Sequence, residues 1–164
     1  MQFATSYFYQ IRHFKPYMIP VSTAKWDPDW FHDFTGIYEH VWVDKRGIYN
    51  GIRCENLHFQ ETEDEVCNCG KGCFEALKPE GTCSFLTAYR KQIFKNDFQV
   101  FYNDCLRLVD KLGLTDSPFE PIIVLIVYET PTNPCSERKV LQDWIKSNGY
   151  PCEELQYPIS KNYI

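Results

Sequence analysis

The densest group of reactive residue types in the chain is Pro134-Cys135-Ser136-Glu137-Arg138, just ahead of an apolar-periodic stretch. Cys135 falls at or immediately before a predicted helix start. Free backbone N–H groups and the positive end of a helix dipole favour an anion there, and the same field favours thiolate over thiol. Arg138, in the first turn, carries the forked guanidinium that grips phosphate or carboxylate through two hydrogen bonds. Cys135 is therefore a candidate nucleophile and Arg138 a candidate anion ligand. Only two residues separate them, so this is not the C-x(5)-R loop of tyrosine phosphatases. The plainer reading of the same residues has Ser136 capping the helix, Glu137 meeting the dipole and Cys135 filling the core.

A second group is Cys67-Asn68-Cys69-Gly70-Lys71-Gly72-Cys73, followed by Cys83. Four thiolates satisfy a closed tetrahedral zinc site, and the intervening glycines permit the tight turns of a metal knuckle. Cys67, Cys69, Cys73 and Cys83 are the candidate metal ligands, with Cys54 or His58 able to replace one of them. Free thiols, a disulfide or an iron–sulfur centre are the alternatives. Such a zinc would be structural, clamping residues 55–83, which show no periodicity of their own.

A third group is aromatic. Trp26, Trp30, Phe31, Trp42 and Tyr49 offer rings on which a base can stack, or they serve as core and lid packing. The histidines His13, His32, His40 and His58 have no metal-pair spacing, and His32 alone neighbours the tryptophan loop, where it could act as an acid or base. No G-x-G-x-x-G, Walker, H-E-x-x-H, G-x-S-x-G or kinase signature is present, and those enzyme classes lose their support.

These residues need elements to position them. Gln2–Thr5 reads as a first strand, Tyr7–Phe14 as a helix ended by Pro16, and Met18–Ser22 as a second strand, parallel to the first and next to it. Val41–Val43 and Ile48–Arg53 flank Asp44-Lys45-Arg46-Gly47 and predict a β-hairpin. Ser84–Lys95 reads as a helix. Asp97 then caps a longer one, in which Phe98, Phe101, Cys105, Leu108 and Leu112 share a face and Gly113 is the stop. Ile122–Tyr128 is apolar on both faces, as in a central parallel strand. A helix from about Ser136 to Asn148 follows, with Val140, Leu141, Trp144 and Ile145 inward, and Glu153–Tyr157 is a last edge strand.

Strand and helix alternate, which predicts a single α/β domain over 1–164. Its mostly parallel central sheet would be covered on both sides, and residues 55–83 would form an acidic, cysteine-rich insert. In open α/β sheets ligands bind beyond the carboxyl ends of the strands. The first strand would deliver Ser6 and Tyr7 to that edge. The second would deliver Ser22, Thr23 and the loop with Trp30. The central strand would bring Glu129, a candidate base, and the segment leading to Cys135 and Arg138.

Charge distribution narrows the partners. The net charge is −5, and residues 55–80, with seven acids and two lysines, carry all of it. A neutral body with an acidic loop argues against general duplex-DNA binding, which needs many phosphate-facing cations. The bland reading of the acidic stretch is a solvated loop. The longest apolar run, Ile122–Tyr128, is far short of a membrane span. Eight cysteines without a recognisable secretory signal point to a reducing, cytoplasmic setting.

Taken in order, Thr5-Ser6-Tyr7-Phe8, Ile19-Pro20-Val21-Ser22, Pro28-Asp29-Trp30-Phe31, Leu125-Ile126-Val127-Tyr128-Glu129, Cys135, Arg138, Asp143-Trp144 and Asn148-Gly149 resemble the domain-of-unknown-function 488 family. The resemblance frames both ends of the chain. It implies a Rossmann-like, three-layer α/β domain and no particular reaction. Members carry Cys-His-Arg at the start of the last helix; here Cys135 and Arg138 match with one extra residue between them, and Glu137 stands in place of the histidine.

The leading expectation is a crevice at the strand ends that binds a phosphorylated small molecule, a nucleotide or a nucleic-acid end. Arg138 would hold the anion, Ser6, Ser22 and Thr23 would add hydrogen bonds, and Tyr7 or Trp30 a stacking face. The alternatives are an enzyme using Cys135, with Glu129 as base, and a non-enzymatic protein that docks a partner through its zinc-clamped insert.

Overall fold

A strand whose side chains are apolar on both faces must be covered on both. In the computed structural model, which describes residues 1–24, 28–31, 40–44, 47–50, 84–133 and 136–155, that strand is β5 (Ile122–Val127), and all six of its residues are buried. It runs parallel between β1 (Gln2–Tyr7) and β2 (Met18–Ser22), and β6 (Cys152–Glu154) adds in parallel to the far side of β1. The strand order is β2-β5-β1-β6. The first two strands are therefore parallel but not adjacent, contrary to the sequence expectation. The more apolar β5 takes the place between them, where burial returns most. Pro20 is accommodated in β2, which pairs only with β5 among the described residues; an edge position tolerates the missing N–H.

Side-chain alternation divides the core in two. Phe3, Ile19, Val21, Ile123, Leu125 and Val127 pack with the helices α1 (Ser84–Phe94), α2 (Phe98–Lys111) and α3 (Arg138–Ser147). Ala4, Met18, Ile122, Val124 and Ile126 belong to a second cluster with Phe8, Ile11, Tyr17, Phe31 and Leu155. Among the described residues all three α-helices thus serve one cluster. The segment expected as a helix over Tyr7–Phe14 is a 3-10 helix, Phe8–His13, and it serves the other.

Local signals account for the helix ends. Asp97 Oδ1 accepts the Gln99 backbone N–H at 2.8 Å, capping α2 as its sequence suggests. Gly113 (φ 73°) and Gly149 (φ 91°) stand just past α2 and α3 in the left-handed region. In each case the glycine N–H and the next N–H bond back to the last turn: Gly113 to Asp110 and Leu114 to Val109, Gly149 to Lys146 and Tyr150 to Ile145. This is the Schellman arrangement that glycine enables. On α2 the inward residues are Phe101, Cys105, Leu108 and Val109, while Leu112 is left exposed. Arg90 Nη2 meets Asp143 Oδ2 at 2.7 Å and ties α1 to α3.

The strands β3 (His40–Asp44) and β4 (Gly47–Asn50) pair antiparallel as a separate two-stranded sheet. Residues 45 and 46, at the expected turn, lie outside the described residues, as does the whole 55–83 insert. No helix of the described residues is long and apolar enough to cross a membrane.

Candidate site at the carboxyl edge of the sheet

Strand order alone selects one place on this sheet. From β1 the chain goes by way of the 3-10 helix to β2, on one side; from β5 it goes through α3 to β6, on the other. Two adjacent parallel strands whose connections leave in opposite directions open a crevice between their carboxyl ends. Here those ends are Ser6-Tyr7 of β1 and Val127-Tyr128-Glu129 of β5, and α3 begins at the same edge.

That edge is braced by a buried polar network. Arg138 Nε donates to Glu154 Oε2 at 2.9 Å, and its Nη2 donates to Glu154 Oε1 at 3.4 Å and to the Glu129 carbonyl at 2.7 Å. Its Nη1 donates to the Thr130 carbonyl at 2.9 Å. The Thr5 hydroxyl donates to Glu154 Oε2 at 2.7 Å and accepts from Gln142 Nε2 at 2.7 Å. The side chains of Arg138 and Glu154 are 9% and 11% exposed. Burial pushes the Glu154 carboxyl above the ordinary carboxylate range, and the Thr5 hydroxyl and Arg138 offset it only in part.

The sequence aims Arg138 at an external anion. The structure aims it at Glu154 and two carbonyls, engaging four of its five N–H donors within the protein. The physical reason is burial: a guanidinium this enclosed needs an opposite charge and acceptors, and the chain supplies both. Arg138 is thus the residue that holds β6, α3 and the turn after β5 together.

The other expected residues divide into engaged and unengaged groups. The Thr23 hydroxyl donates to the Ile126 carbonyl at 2.8 Å and finishes the β2–β5 ladder. Ser22 Oγ accepts the Ala24 N–H at 3.3 Å. The Tyr7 hydroxyl accepts from Gln10 Nε2 at 2.7 Å. By contrast Ser6 Oγ, Gln10 Oε1 and Glu129 Oε2 are buried without a hydrogen-bond partner. Buried polar atoms are normally paired, so three such atoms within a few residues of the two strand ends mark this edge.

Beside them is an aromatic surface. Trp30 and Tyr128 are 43% and 52% exposed, and both rest on the Phe8 ring, at 6.2 and 4.7 Å between centroids. Phe31, buried, packs on the same ring at 5.6 Å. Trp26 and Cys135 lie outside the described residues, as do Cys67, Cys69, Cys73 and Cys83 of the expected zinc site. Among the described residues no group of three or more His, Cys, Asp or Glu side chains is placed to hold a metal ion. Cys105 and Cys152 are buried, and burial pushes the Cys152 thiol up to about 12, so neither is a nucleophile.

Sequence reasoning missed Thr5, Gln142 and Glu154 as a unit. Residue type gave no signal for it: Thr5 reads as strand, Gln142 as helix surface and Glu154 as an outer-strand acid. Ser136 Oγ accepts the Arg138 N–H at 3.3 Å, but the N-cap position of α3 is Glu137, one residue later than the sequence suggests. No protein family, curated protein or solved structure matches the chain, and the reading of this edge rests on its own geometry.

Proposed function

We propose that the carboxyl edge between β1 and β5 is a ligand crevice, and that its ligand belongs to the phosphorylated class that includes nucleotides and nucleic-acid ends, a nucleotide being the best fit. One observation carries this reading: Trp30 and Tyr128 present half-exposed rings at the edge where strand topology opens a crevice. Exposed rings beside a crevice are the usual platform for a base. Polar atoms without a partner lie beneath the same strand ends. In this reading Arg138 is a positioning residue that fixes the Glu129-Thr130 turn, and β3–β4 is a hairpin on a Rossmann-like sheet. The resemblance to the domain-of-unknown-function 488 family is in keeping with it, because the residues that carry the resemblance include those at this edge.

Titration of the intact protein with nucleoside monophosphates, followed by tryptophan fluorescence and calorimetry, tests the proposal. Saturable binding is expected, and Trp30→Ala should weaken it by about 1–3 kcal/mol, the worth of one stacked base. Equal affinity in a folded Trp30→Ala protein would remove the aromatic surface from the site.

A further inference from the structure

One residue with inward spacing does not go inward. Leu112 continues the series Phe101, Cys105, Leu108, yet it is 38% exposed. It lines a cavity of about 420 Å³ against β2, an edge strand of the sheet among the described residues. That size lies within the roughly 300–1,000 Å³ of small-molecule sites. Phe14 just past the 3-10 helix, Met18 and Pro20 of β2, and Leu112 and Leu114 just past α2 give the cavity its apolar lining. Hydrogen bonds fix both flanks. Lys15 N–H donates to Met18 Sδ at 3.4 Å and Met18 N–H donates to the Lys15 carbonyl at 2.9 Å, which closes the turn around Pro16. On the other flank, the left-handed turn at Gly113 bonds the Leu114 N–H to the Val109 carbonyl at 3.0 Å. Walls held in this way need little ordering when a ligand enters.

The charged residues that line the cavity are Arg12 and Lys15; no carboxylate among the described residues lines it. Both cations are exposed, and neither meets a carboxylate among the described residues. Arg12 Cζ lies 3.5 Å from the centroid of the Tyr9 ring. This contact holds the face of the guanidinium and leaves its in-plane N–H donors open to an acceptor. Two cations beside an apolar cavity suit a ligand with an apolar body and an anionic head. We propose that this cavity binds a small amphipathic anion, an aliphatic or aromatic body ending in a carboxylate. The body lies against Met18 and Leu112, and the head meets Arg12 and Lys15. The cavity shares no lining residue with the carboxyl edge, so its ligand is independent of a nucleotide bound there.

Calorimetry on the intact chain tests this with octanoate, set against octanol, which lacks the charge, and acetate, which lacks the body. Octanoate is expected to bind one-to-one, about fivefold or more tighter than octanol, and acetate not at all. Arg12→Gln combined with Lys15→Gln should bring octanoate down to the octanol level. Leu112→Glu, which sets a carboxylate in the wall, should weaken octanoate by about tenfold or more. The double variant alters only exposed side chains, so it keeps the test in force if Leu112→Glu does not fold. Octanol binding as tightly as octanoate, or octanoate binding untouched by the double variant, would overturn the anionic head. Undiminished binding in a folded Leu112→Glu chain would put the ligand elsewhere and overturn the cavity. No binding of octanoate would overturn the proposal outright.

Discussion

The helix-covered core and the carboxyl edge of this sheet are built on opposite plans. In the core, Phe3, Phe98, Phe101, Tyr102, Trp144 and Tyr150 form a continuous set of ring contacts with centroids 5.3–6.2 Å apart. At the carboxyl edge polar groups are buried, some braced by one another and some without a partner, and large rings are half-exposed. The first arrangement gains dispersion and hydrophobic energy and asks nothing of a ligand. The second carries a cost that packing alone would have removed. Local departures from good packing of this kind are found where a chain binds or reacts.

The contrast can be broken by mutation. Phe101→Ala should cost the most, about 4 kcal/mol in denaturant unfolding, because it opens a cavity in a filled core. A loss below about 1.5 kcal/mol would mean that the aromatic set is loosely packed. Next comes Arg138→Ala, at about 3 kcal/mol, because it strands the buried Glu154 carboxylate. Arg138→Met combined with Glu154→Leu should regain most of that loss, since an apolar pair of similar bulk replaces the ion pair.

The pH dependence of the same pair has a defined sign. The folded-state pKa of Glu154 is raised, so its proton favours the folded state at acid pH. That contribution is lost as the pH climbs from the ordinary carboxylate value through the raised one. Glu154→Gln should remove this part of the stability–pH profile, and a profile unchanged by the variant would contradict the shift. The smallest effect is expected for Ser6→Ala. Its hydroxyl has no partner to lose, so stability should stay within about 0.5 kcal/mol or rise, while ligand affinity falls. A loss above about 1 kcal/mol would give Ser6 a structural role and erase the distinction between the two regions.

What could be read from the sequence follows the range of the interaction concerned. The α2 cap at Asp97, the stops at Gly113 and Gly149, the inward face of α3 and the central position of β5 were all legible, because each depends on neighbours a few residues away or on one strand's own composition. Strand adjacency was not: β1 and β2 are close in sequence, and only the competition of β5 for the position between them sets the order. At the carboxyl edge the strand ends were legible but their wiring was not. Strand ends named Ser6, Tyr7, Trp30 and Glu129, whereas the Thr5–Glu154 and Thr5–Gln142 bonds join residues 149 and 137 positions apart, beyond any local pattern. Arg138 was legible by its position at a helix start, but its pairing with Glu154 was not, because that partner lies on the last strand.

The position of β1 also governs how the chain is made. Of the strands in this sheet it is the first to leave the ribosome, and it lies inside the sheet, where Gln2 pairs with Ile122 and Phe3 with Cys152. At roughly 5–20 residues per second, about ten seconds of synthesis pass before its first partner exists. Throughout that time the apolar segment Phe3–Ser6 has no sheet to join, and closing it requires a long-range contact that makes parallel sheets slow to form. Its pairing waits for the emergence of the β5–α3–β6 region, so a ribosome stalled before that point leaves a product in which this segment has no native sheet partner.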